Sequence, residues 1–90
     1  MLNVINYYEQ LVIDQLWQIA ENSPEPFSQV FLEDVACLAL NNLPTCYVRN
    51  MVDKSTNLTE MDHENMRKAT QESIAQAMLK VRLRSHEDRD

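Results

Sequence analysis

Glycine is absent from all 90 residues. Phosphate-cradling loops, dinucleotide-binding turns, the nucleophile elbow and calcium-binding helix–loop–helix hands all need it, for positive φ or for close backbone approach. Those site types are excluded. Tight hairpins lose their best residue as well, which weighs against an antiparallel β architecture, and asparagine must serve wherever a positive φ is wanted. Cations are also scarce, with 8 Lys and Arg against 14 Asp and Glu, for a net charge of −6. Sequence-independent nucleic-acid binding needs a basic field, so direct DNA contact is not expected. The two cysteines, Cys37 and Cys46, form no CxxC pair, and a zinc site is short of ligands. Cys37 lies in an apolar run and reads as a small buried hydrophobe. No apolar run approaches the roughly 20 residues of a membrane span, so membrane insertion is not expected. Met1-Leu2-Asn3 carries no positive charge, and Glu9 and Asp14 interrupt the apolar residues that follow. A secretion signal is therefore not expected, and the compartment indicated is the cytoplasm, with thiols reduced.

What is present is helical periodicity. Over residues 4–21, Gln10, Asp14, Gln18 and Glu21 recur at steps of four, four and three and form one polar stripe. Nearly everything else there is apolar or aromatic, including Tyr7, Tyr8, Leu11, Val12, Ile13, Leu16, Trp17 and Ile19. Asn3 is the expected N-cap. Pro24 and Pro26 break the helix, and Ser28 can cap a second one over residues 29–43. That helix contains Val35-Ala36-Cys37-Leu38-Ala39-Leu40, apolar on every side, and Pro44 ends it. Residues 44–59 show no helical period, and Tyr47–Val52 fits either an extended segment or a short helical turn. A third helix is expected over 60–83, opened by a Thr59–Asp62 capping box. Met66, Ala69, Ile74, Ala77, Met78 and Val81 form its apolar stripe.

Ninety residues make one domain, placed at 1–83, with residues 84–90 a charged tail expected to fray. A chain of this size buries only roughly 60–65% of its unfolded surface. A helix apolar all round must be central, and two neighbours cannot cover it on all sides. The expected architecture is all-α, a small domain of three main helices in an intertwined or face-to-face homodimer. Tyr8, Trp17 and Leu38 are the expected interface residues, the aromatics because such side chains anchor interfaces.

The stretch Asp34-Val35-Ala36-Cys37-Leu38-Ala39-Leu40-Asn41-Asn42-Leu43-Pro44-Thr45-Cys46-Tyr47-Val48-Arg49 resembles the signature of the late competence development protein ComFB family. Asn6-Tyr7-Tyr8-Glu9-Gln10-Leu11-Val12 resembles that family's first helix. The resemblance implies a mostly helical bacterial protein that dimerises and has no catalytic activity. Some members are receptors for cyclic dinucleotide second messengers, and others carry a zinc-binding cysteine cluster ahead of the motif. No cysteine precedes Asp34 here, so that zinc site is not inherited. Asn42, Thr45 and Cys46 stand where the family commonly has Arg, Pro and Arg, which removes two cations beside Tyr47.

On this resemblance the candidate ligand residues are Asn41, Tyr47, Arg49 and Lys54. Tyr47 can stack on a base and Arg49 can fork a phosphate. Against that stand a Tyr47 packed on the helix end, an Arg49 that is solvated or paired with an acid, and an Asn41 that caps the second helix. His63 with Asp62 and Glu64, and His86 with Glu87 and Asp88, are better explained as solvated helix surface than as metal ligands. No nucleophile–base pair is apparent, and no cofactor is implied. Two readings follow: a dimeric regulator that senses cyclic di-GMP or cyclic di-AMP, and a helical adaptor for an unidentified protein partner with no small ligand.

Overall fold

A computed structural model describes residues 2–49 and 58–87. Three helices carry the fold: α1 (Tyr7–Asn22), α2 (Gln29–Asn41) and α3 (Glu60–Glu87). A two-residue antiparallel ribbon, β1 (Ile5–Asn6) with β2 (Tyr47–Val48), closes one end, with Ile5 opposite Val48 and Asn6 opposite Tyr47. The architecture is thus a small all-α domain with one minimal ribbon. The molecule is elongated, 49 × 28 × 20 Å. Its long axis matches the 28-residue α3, about 42 Å at 1.5 Å per residue.

The helix starts follow from local chemistry. Ser28 is the N-cap of α2, and its hydroxyl accepts from the Phe31 amide at 3.0 Å. At α3 the capping box is reciprocal: the Thr59 amide donates to Asp62 Oδ2 at 3.0 Å, and the Asp62 amide donates to Thr59 Oγ1 at 3.0 Å. The expected cap of α1 needs correction. Asn6, not Asn3, caps it, with its side-chain oxygen accepting from the Tyr8 amide at 3.3 Å. Val4 and Ile5 are β-branched and lead into the ribbon, which delays the helix by three residues. Ser23 ends α1 in an extended conformation, φ −81° and ψ 136°, as a residue before proline must.

The main core joins all three helices. Val12 and Leu16 of α1, Val35 and Ala39 of α2, and Ile74, Ala77 and Val81 of α3 are buried together. A second cluster under the ribbon holds Tyr7, Tyr8 and Met66. Thr70 is fully buried between these groups, and its hydroxyl donates to the Met66 carbonyl at 2.8 Å, one turn back, so it brings no unmet polar atom. Ser73 ties α3 to α2, its hydroxyl donating to the Ala39 carbonyl at 2.9 Å.

Three further expectations change. Cys37 is exposed, not buried. Val35 and Ala39 face inward one turn apart, and Cys37, two residues from each, sits about 200° around the helix from both. Helix α2 is therefore covered on one side only within the subunit. It ends at Asn41, two residues before the expected limit. Helix α3 continues to Glu87, four residues beyond its expected end. Among the described residues no positive φ occurs, so no asparagine replaces glycine in that role.

Candidate functional site

The ribbon end of the molecule is built around Asn6. Its side-chain oxygen accepts from the Tyr8 amide and also from the Cys46 amide, the latter at 2.9 Å. The Tyr7 amide donates to the Cys46 carbonyl at 2.7 Å. One asparagine thereby fixes the start of α1 against the chain that leaves α2. The two-residue period of the strand then sets what β2 presents: Val48 turns onto the second cluster, while Tyr47 is 65% exposed. Arg49, next along, is also exposed.

Asn41 is exposed as the last residue of α2, but it is not the cap. That role belongs to Asn42, whose side-chain amide donates to the Leu38 carbonyl at 2.9 Å. Tyr47, Arg49 and Asn41 thus lie exposed after or at the end of α2, and none of them lines the two grooves described below. Lys54 lies outside the described residues.

The expected interface residues separate. Trp17 is 63% exposed, Leu38 is half-buried against the main core, and Tyr8 is only 7% exposed. Tyr8 belongs to the second cluster inside the subunit, where burial raises its phenol pKa and the neighbouring Cys46 adds to the rise. Near the start of α3, Met61 is 66% exposed and Met66 is buried.

Two grooves flank α1. The one toward α3 has a volume near 580 Å³, with Gln15, Gln18, Gln71, Phe27, Met78 and Arg82 among its walls. The one toward α2 is near 560 Å³ and mainly apolar, bordered by Ile13, Trp17, Phe27, Leu32 and Ala36, with Glu33 alongside. Neither was apparent from helical periodicity, because a groove depends on how two helices diverge. Phe27 and Phe31 stack at 5.2 Å near the α1–α2 connection, and Arg82 lies 5.9 Å over the Phe31 ring.

Charged side chains at the start of α3 serve the helix. Arg67 donates to Glu64 at 2.7 Å and Lys68 stands 3.8 Å from it, so these cations neutralise a neighbour. The hydrogen bond and charge of Arg67 hold the Glu64 carboxyl below its usual range. The Thr59 amide and hydroxyl do the same for Asp62. His63 is half-buried, with its ring edge-on to Tyr7 at 5.9 Å and 81°, which departs from a purely solvated position. Among the described residues no group of three His, Cys, Asp or Glu is placed to hold a metal ion. No described helix is long and apolar enough to cross a membrane.

Asn6 is the residue that periodicity overlooked, although Asn6-Tyr7-Tyr8-Glu9 has the cap-to-third-residue acid spacing that signals a helix start. Compared with curated proteins and with solved structures, the chain has no match. The family model described as late competence development protein ComFB matches residues 5–85, from the first residue of β1 into the last turn of α3. The chain belongs to the late competence development protein ComFB family.

Proposed function

We propose that this ComFB-family chain is a non-catalytic regulatory protein of the cytoplasm that acts as a homodimer. The observation that carries this reading is the apolar surface left on α1. Trp17 and Ile13 are 63% and 45% exposed beside a groove whose other walls are Phe27, Leu32 and Ala36. Contiguous apolar surface with a central tryptophan is typical of association sites. The absence of catalysis fits the use made of the carboxylates near α3's start, since Asp62 is engaged in a helix cap and Glu64 in ion pairs. The test is sedimentation equilibrium at micromolar concentration. A species at twice the 10.5 kDa subunit mass supports the dimer, and a species at 10.5 kDa overturns it.

A ligand reading is favoured by the exposed pair on β2 and its continuation. The Tyr47 ring and Arg49, two residues on, are each exposed outside the core, with chemistry suited to a base face and a phosphate. A cyclic dinucleotide such as cyclic di-GMP or cyclic di-AMP is two-fold symmetric and would meet the same residues in each subunit of a dimer. A ligand that prefers the native state must raise Tm. A rise with either nucleotide, lost in Tyr47→Ala, supports the receptor. No rise at saturating nucleotide discards it and leaves the dimer as an adaptor for a protein partner.

A further inference from the structure

Charge is segregated along this chain. Residues 1–48 contain Glu9, Asp14, Glu21, Glu25, Glu33 and Asp34 and no Lys, Arg or His, so every lysine and arginine lies from Arg49 onward. In the fold, α1 and α2 form an acidic layer and the end of α3 is cationic. On α1, Ile13, Trp17 and Glu21 recur at steps of four and share one face, and Glu21 is exposed like the other two. Glu33 adjoins the same groove from α2. The groove therefore has an apolar floor with Glu33 on its border, and Glu21 stands one turn beyond Trp17 on the same face of α1.

The end of α3 has the opposite character. Leu79 and Leu83 are 61% and 62% exposed, one turn apart. Lys80 and Arg84 follow them directly and are also exposed. No carboxylate lies between Glu72 and Glu87. Two leucines at i and i+4 with basic flanks make a strip of the kind that docks into helix-binding grooves.

We infer that the α1–α2 groove receives the C-terminal part of α3 from a second copy of this chain. Leu79 and Leu83 enter beside Trp17, while Lys80 and Arg84 meet Glu21 and Glu33. This rests on the homodimer reading above and assigns the two surfaces that form it. Groove and strip belong to the same subunit, so a two-fold axis makes the contact twice. The apolar centre supplies the affinity, and the flanking charges set the register.

Charge reversal tests the pairing. Glu21→Lys with Glu33→Lys makes one variant, and Lys80→Glu with Arg84→Glu makes the other. All four side chains are exposed, and circular dichroism checks that both variants are folded. Sedimentation equilibrium is run on wild type, each variant and their equimolar mixture. The wild type is expected at twice 10.5 kDa. Each variant alone is expected to dissociate with a Kd raised roughly tenfold or more. The mixture recovers, because the reversed groove meets the reversed strip and the unaltered groove meets the unaltered strip. A dimeric wild type whose variants associate equally well overturns the surface assignment and leaves the homodimer standing. Weakened variants that do not recover on mixing overturn it too. A wild type at 10.5 kDa overturns both readings.

Discussion

The side-chain oxygen of Asn6 accepts from the amide of Tyr8, two residues on, and from that of Cys46, forty residues on. Replacing it with alanine removes a helix cap, which costs about 1 kcal/mol, and strips a partner from a part-buried amide, which raises the total to about 1–3 kcal/mol. Asn6→Asp keeps the acceptor and adds charge favourable to the helix N-terminus, so it should stay close to wild type. Urea unfolding of the two variants separates the effects. Tyr8 makes a prediction of opposite character. Its phenol pKa is raised by burial, so the neutral form is favoured in the fold. That contribution is intact below pH 10 and is lost as pH rises through the raised value. Tyr8→Phe should therefore decline less steeply than wild type in alkaline melts.

At the scale of elements, the α3 cap is the clearest device. Thr59→Ala breaks half of the reciprocal pair with Asp62 and should cost about 1 kcal/mol in urea titrations. The Asp62 carboxyl is held below its ordinary value by the Thr59 amide first and the Thr59 hydroxyl second. Its contribution is complete above the ordinary aspartate range and is lost as pH falls through the lowered value. Asp62→Asn should therefore flatten the acid limb of the pH–stability curve. The same cap was legible in the sequence, as were Ser28 and the break at Pro24, because each depends on residues within one turn. The ribbon was not legible. Two strand residues give no period, and Tyr47 pairs with Asn6 across 41 positions. Exposure of Cys37 was also hidden, since an apolar run does not say which side of a helix the neighbours will cover. Of the candidate ligand residues, Tyr47 and Arg49 follow α2 and Asn41 is its last residue, while the capping weighed against a ligand role for Asn41 is performed by Asn42.

At the scale of the whole molecule, a modest interior coexists with a large apolar exterior. Ile74 is 1% exposed at the junction of all three helices, and Ile74→Ala should cost about 2–5 kcal/mol, read as a lowered Tm. Such a loss is a large share of the total stability of a small domain. Outside that core, Ile13, Trp17, Val30, Leu79 and Leu83 remain exposed on the single subunit. An apolar side chain covered by a partner contributes about 1.5–3 kcal/mol, which is the physical reason for association. Trp17 is the only tryptophan in the chain and lies in the surface concerned, so its fluorescence reports the interface directly. Emission recorded from nanomolar to high micromolar protein should move to shorter wavelength, and its quenching by iodide should fall, as Trp17 passes from solvent into the partner's contact. An emission maximum typical of exposed indole, unchanged across that range and quenched equally throughout, would contradict the account.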